Sequence, residues 1–200
     1  MPRRARGATG VLPYHVLNRA VRRACLFRAR SDYLAFEGVL REALQQVPVR
    51  LLAYCAMPNH WHLIVWPADD HQLSRFMHWL TGTHAQRWHA FHQTTGTGPV
   101  YQDRFKAISI QSERHLLWAC RYVERNPLQA GLVTHAEDWR WSSLWRRCHE
   151  VEYPILSEWP VRRPPDWIAS VNRPQTAEEV NSLSEFTLPT RRRGRPRKIG

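Results

Sequence analysis

VRLLAYCAMPNHWHLIVW, residues 49–66, consists of two apolar runs, 49–57 and 60–66, joined only by Pro58-Asn59. Runs this short, rich in β-branched and aromatic residues and separated by two turn-forming positions, predict a β-hairpin. Upstream, SDYLAFEGVLREALQQ (31–46) opens on a Ser31/Asp32 cap signal and spaces Leu34, Val39, Leu40 and Leu44 at helical intervals. Before it, VLPYHVLNR (11–19) reads as a strand. Downstream, Leu73, Phe76, Leu80 and Trp88 mark a second helix over 70–92, TTGTGP (94–99) is a loop, RFKAISIQ (104–111) a strand, and Ser112 to about Asn126 a third helix. The order β-α-β-β-α-β predicts an α+β fold of ferredoxin-like type, an antiparallel sheet with helices on one face.

The 200 residues divide by texture into a folded segment, 1–150, and an arm, 151–200. The arm holds seven of the 14 prolines and is expected to be loosely packed. No run of about 18 uncharged apolar residues is present, so no membrane-spanning helix is expected, and no signal-peptide pattern opens the chain. A cytoplasmic, nucleoid-associated protein is the expectation. Cys25, Cys55, Cys120 and Cys148 lie at least 28 residues apart, which argues against a zinc knuckle or redox dithiol and for reduced, buried thiols.

The net charge of +12 is unevenly spread. The first thirty residues contribute +8 and the last ten +6, so the 160 between them carry −2. Two basic ends around a near-neutral body suggest capture of a polyanion, most simply nucleic acid. Candidate backbone contacts are Arg19, Arg22, Arg23, Arg28 and Arg30, with Arg104 and Lys106 beside the last strand. At the C-terminus Arg193-Gly194-Arg195-Pro196 resembles an AT-hook core, whose arginines enter the narrow minor groove of A·T tracts; a sequence-blind basic tail is the alternative.

His60-Trp61-His62 is the densest chemical signal. Positions two apart on a strand share a face, so both imidazoles project together and Trp61 turns to the other layer. Two neutral imidazoles so placed can grip one divalent cation, although two histidines on an exposed sheet face would look the same. Tyr122 and Asn126, four apart on the third helix, also share a face. Asn126 has a competing use: Asn126-Pro127 followed by Gly131 reads as a helix N-cap, a first-turn proline and a C-terminal glycine. His71, His78, His84, His89 and His92 are read as helix-surface residues.

AMPNHWHLIVWP, GPVYQDRFKAISI and RYVERNPLQAGLV, with YHVLNRA as an opening strand, resemble the REP-associated tyrosine transposases, relatives of the single-tyrosine HUH transposases. The resemblance covers roughly residues 11–147. It implies the ferredoxin-like fold, His60 and His62 as the metal-binding pair, Tyr122 as nucleophile and Asn126 as a third, oxygen-bearing ligand. Tyr101 stands where many members have Trp, an exchange that keeps an aromatic ring. The implied activity is cleavage and strand transfer of single-stranded, hairpin-bearing DNA of REP-like sequence through a 5′-phosphotyrosine, with Mg²⁺ or Mn²⁺. No small-molecule substrate is implied. One tyrosine helix per site suffices for a monomer, although relatives include dimers. The alternatives are a non-catalytic DNA-binding protein of the same fold, and an RNA-recognition module, whose basic-Gly-aromatic signature HWHLIVW lacks.

Overall fold

The computed structural model describes residues 12–149 and 156–184. Strands β1 (Tyr14–Arg19), β2 (Arg50–Met57), β3 (His60–Trp66) and β4 (Lys106–Ser109) form one antiparallel sheet in the order β2-β3-β1-β4. Helices α1 (Arg30–Gln46) and α2 (Asp70–His92) complete the β-α-β-β-α-β frame, followed by α3 (Glu113–Gln129), α4 (Ser143–Cys148), α5 (Trp167–Asn172) and α6 (Ala177–Ser182). The ferredoxin-like arrangement expected from the sequence is the one observed.

Strand alternation decides what each layer holds. Tyr14 and Val16 of β1 and Trp61, Leu63 and Val65 of β3 face α1 and α2, meeting Phe36, Leu40, Phe76 and Leu80 in one core. The intervening positions face α3, which seats Leu116, Ala119, Cys120 and Val123 against Leu52, Cys55 and Ile64. Helix α3 is thus added on the face that α1 and α2 leave bare. With both faces covered, β2 is buried without interruption from Leu51 to Met57, which is why its sequence shows an apolar run rather than an alternation.

Caps differ in detail from expectation. Asp32, not Ser31, organises the start of α1, its Oδ2 accepting the backbone N–H groups of Arg28 (2.7 Å) and Ala29 (3.0 Å). Ser112 caps α3, its hydroxyl accepting the amide of His115. Asn126 is not an N-cap. Helix α3 continues through Pro127, and only at Gly131 does a left-handed residue (φ +69°) close it, its N–H bonded to the Leu128 carbonyl. A proline in the last turn removes just one helical donor, and burial of Pro127 compensates.

The expectation of a loose arm is corrected for residues 156–184. Trp167, Val171 and Leu183 are buried in the α3 core. Ser157 N–H bonds the Leu51 carbonyl at 2.7 Å and Trp159 Nε1 the Leu52 carbonyl at 2.8 Å, so this segment also engages the edge of β2. Its few large apolar residues are supplemented by arginines of α3. Arg121 donates to both Glu179 oxygens and to the carbonyls of Ser170, Arg173 and Pro174, and Arg125 to those of Val171 and Asn172. Buried Glu124 ties α3 to α4 and α5 by accepting from Ser143 Oγ (2.6 Å) and Trp167 Nε1 (2.7 Å). Proline content misled here because the packing is carried by polar side chains reaching backbone carbonyls. Of the cysteines, Cys55 and Cys120 are buried free thiols, whereas Cys25 and Cys148 are exposed, contrary to expectation. The AT-hook-like residues Arg193, Gly194, Arg195 and Pro196 lie outside the described residues. No helix among the described residues is long and apolar enough to cross a membrane.

Candidate active site

The site forms where the α3-facing side of β1 and β3 meets the middle of α3. His60 and His62 project together from β3, their ring centroids 4.9 Å apart and nearly perpendicular. Tyr122 comes down from α3 with its ring edge-on to His62 at 5.7 Å. The three residues named from separate motifs are therefore brought into one cluster. Asn126, one turn along α3, has its amide N–H 3.4 Å from the Tyr122 carbonyl, and its side chain also hydrogen-bonds the Tyr122 phenol.

A fourth residue joins them that the motifs did not single out. His15 on β1 stacks on His62 (5.1 Å, 11°) with Nε2 2.9 Å from His62 Nδ1, and meets Tyr122 edge-on at 5.9 Å. Its alternation with Leu17 and Arg19 was legible in YHVLNR. That β1 lies beside β3, with His15 opposite Ile64, was not.

Burial sets the protonation of the cluster. His60 is lowered to about 4, chiefly by desolvation and secondarily by the Arg19 charge. His62 and His15 are held well below the ordinary imidazole range by burial. All three are neutral at pH 7, the form in which imidazole can ligate a metal. His60 Nδ1 faces Asn59 Oδ1 at 2.6 Å, and His62 Nδ1 faces His15, so the hydrogen-bonded nitrogen of each ring is its Nδ1. His62 Nε2 is buried with no hydrogen-bond partner among the described residues. A buried, unengaged imidazole nitrogen beside a second imidazole fits a divalent cation. Among the described residues no group of three His, Cys, Asp or Glu could hold a metal, so other ligands would be an amide oxygen, water or substrate. Burial raises the Tyr122 phenol above the usual tyrosine range, and the Asn126 side chain opposes the rise.

The basic candidates separate. Arg19 lies directly across from His60, and Lys106 shares the row of Leu17 and His62, so both are on the site's face. Arg22 and Arg23 follow at the same end of β1, exposed in a 3₁₀ turn with left-handed φ of 54° and 59°. Arg28 instead lies over Trp88 on the α2 side, Arg30 opens α1, and Arg104 lines a separate cleft of about 730 Å³ with Asn18, Asp70 and Phe105. Behind the sheet, the Tyr101 hydroxyl accepts from Trp61 Nε1 (3.0 Å) and lies 2.7 Å from His84 Nδ1. His84 is thus buried rather than a helix-surface residue, whereas His71 and His78 are exposed as expected and His89 and His92 half-buried.

The sequence profile of the family described as IS200-like transposases matches residues 9–126. The chain belongs to that family. IS200-like transposases are DNA-processing enzymes, and the matched span runs from β1 to Asn126, taking in every residue of the cluster. A Haemophilus influenzae protein provisionally named a REP-associated tyrosine transposase is 25% identical over 133 residues, 62% of this chain and 76% of that one. A solved REP-associated tyrosine transposase bound to a REP hairpin superposes with a TM-score of 0.55 at 18% identity, over 82% of this chain and 96% of that one, and shows the shared fold. The resemblance carried by the motifs is thereby borne out.

Proposed function

We propose that this IS200-like transposase is a metal-dependent endonuclease and strand transferase of single-stranded DNA bearing REP-like hairpins, with Tyr122 as its nucleophile. The observation that carries the reading is the convergence of Tyr122 with an imidazole pair that retains an unengaged buried nitrogen. The hairpin-bound relative supports the substrate class.

The Tyr122 phenol oxygen attacks a phosphodiester phosphorus, the bond from phosphorus to the 3′-oxygen breaks, and that oxygen leaves as a free 3′-hydroxyl while the 5′-phosphate stays on the tyrosine. The covalent link conserves the phosphodiester for rejoining, so no nucleotide cofactor is consumed. Burial keeps the phenol neutral in the free protein, so its proton leaves only as the O–P bond forms. His60 and His62, with Asn126 as a further donor, would hold Mg²⁺ or Mn²⁺, which when bound offsets charge on the scissile phosphate. Arg19 and Lys106 supply positive charge on the same face for the neighbouring backbone. A strand must bend to bring one phosphate against α3, which single-stranded DNA does readily.

Incubation with a 5′-labelled or 3′-labelled single-stranded hairpin and Mn²⁺ should give a protein–DNA adduct in denaturing gels that retains the 3′ label. Tyr122→Phe and chelator should each abolish it. An adduct that survives Tyr122→Phe would refute the assignment, and hairpin binding without any adduct would leave a non-catalytic DNA-binding protein.

A further inference from the structure

His15 and His62 face each other nitrogen to nitrogen at 2.9 Å, buried and stacked. Two neutral imidazoles in this arrangement share one proton, so one ring donates and the other accepts. When His62 Nδ1 carries that proton, its Nε2 keeps a lone pair. When His15 Nε2 carries it, neutral His62 must be protonated on Nε2, placing a buried N–H where no acceptor exists among the described residues. Such a donor is costly, and it would also close the nitrogen to a cation. For His60 the choice is fixed by chemistry: the Asn59 amide oxygen at 2.6 Å can only accept, so His60 Nδ1 donates and its Nε2 is left with a lone pair.

We infer that His15 and Asn59 are positioning residues that hold His62 and His60 in the Nδ1–H form, so that the pair presents two Nε2 lone pairs to one divalent cation. Neither touches the reacting atoms. Each acts through the imidazole it orients, as outer partners of metal-ligating histidines do. His15 then carries its own proton on Nδ1. The inference rests on the metal reading given above, but it makes a statement about the metal-free protein that can be measured by itself.

The test pairs ¹⁵N NMR of the histidine side chains in the metal-free protein with Mn²⁺ titration followed by electron paramagnetic resonance. Wild type should show His60 and His62 protonated on Nδ1. His15→Phe keeps a ring to stack but removes the acceptor, and should move His62 toward Nε2–H and weaken Mn²⁺ binding about 10–100-fold, the usual loss for such partners. His15→Gln, whose amide oxygen can accept in place of Nε2, should restore much of both. Asn59→Leu should shift the His60 signals and leave those of His62. Nε2–H on His62 in folded wild type would overturn the inference even if His15→Phe fails to fold, as would a His15→Phe protein with wild-type tautomers. Failure of the metal reading looks different: Mn²⁺ affinity unchanged in His62→Ala, with the tautomers of the free protein still as stated.

Discussion

Replacing Arg121 with Met should detach the C-terminal segment from the helix that carries Tyr122. The Arg121 side chain is 9% exposed and that of Glu179 6%, and between them stand two hydrogen bonds; three more run from Arg121 to the carbonyls of Ser170 (2.8 Å), Arg173 (2.8 Å) and Pro174 (3.0 Å). Arg121→Met keeps the volume but leaves a buried carboxylate without its cation, a change that costs about 3–5 kcal/mol. Substituting both partners, Arg121→Met with Glu179→Leu, should recover most of that loss, because a well-packed apolar pair is close to neutral relative to a buried ion pair. A remainder of about 0.5–2 kcal/mol should persist, since Glu179 also accepts the Thr176 amide at the start of α6. Urea unfolding gives the totals. Hydrogen exchange read by mass spectrometry places them: amides of 167–183 should exchange roughly a hundredfold to a few thousandfold faster, with β2 and β3 far less affected. A loss under about 1 kcal/mol for Arg121→Met, or a double variant as unstable as the two single losses together, would refute the reasoning.

Two further outcomes follow from the far side of the sheet. His84 is 2% exposed and its imidazole is lowered to about 4 by burial. The unfolded chain therefore binds a proton near pH 6.5 that the folded one refuses until about 4, and stability falls as pH drops through that window, by about 3 kcal/mol for this group. His84→Gln should gain on wild type by that amount between pH 6.5 and 4 in urea titrations, and parallel curves would contradict the account. Tyr101→Phe strands the buried Trp61 N–H, so the urea midpoint should fall by the equivalent of about 1–3 kcal/mol without a change in slope.

The hairpin, the two long helices and the shared face of His60 and His62 were legible because each depends on periodicity and turn chemistry within a few residues. Tyr122 and Asn126 were legible as residues of one helix face, and as site residues only through resemblance to a known family. Three things were not. His15 meets His62 across a strand pairing between residues 47 positions apart. Asn126 looked like a cap because Asn-Pro is a strong local start signal, and the burial that carries α3 through Pro127 is tertiary. The segment 156–184 looked loose because its anchors are arginines on α3 rather than an apolar stripe of its own.

Sequence alone determined which residues alternate, which helices begin and end, and where charge collects, since these are properties of neighbouring residues and their backbone torsions. Tertiary structure alone decided which face α3 covers, that His15 belongs to the imidazole cluster, and which arginines stand on the site's side of the sheet. Those depend on contacts between distant parts of the chain and on burial, and no local pattern encodes either.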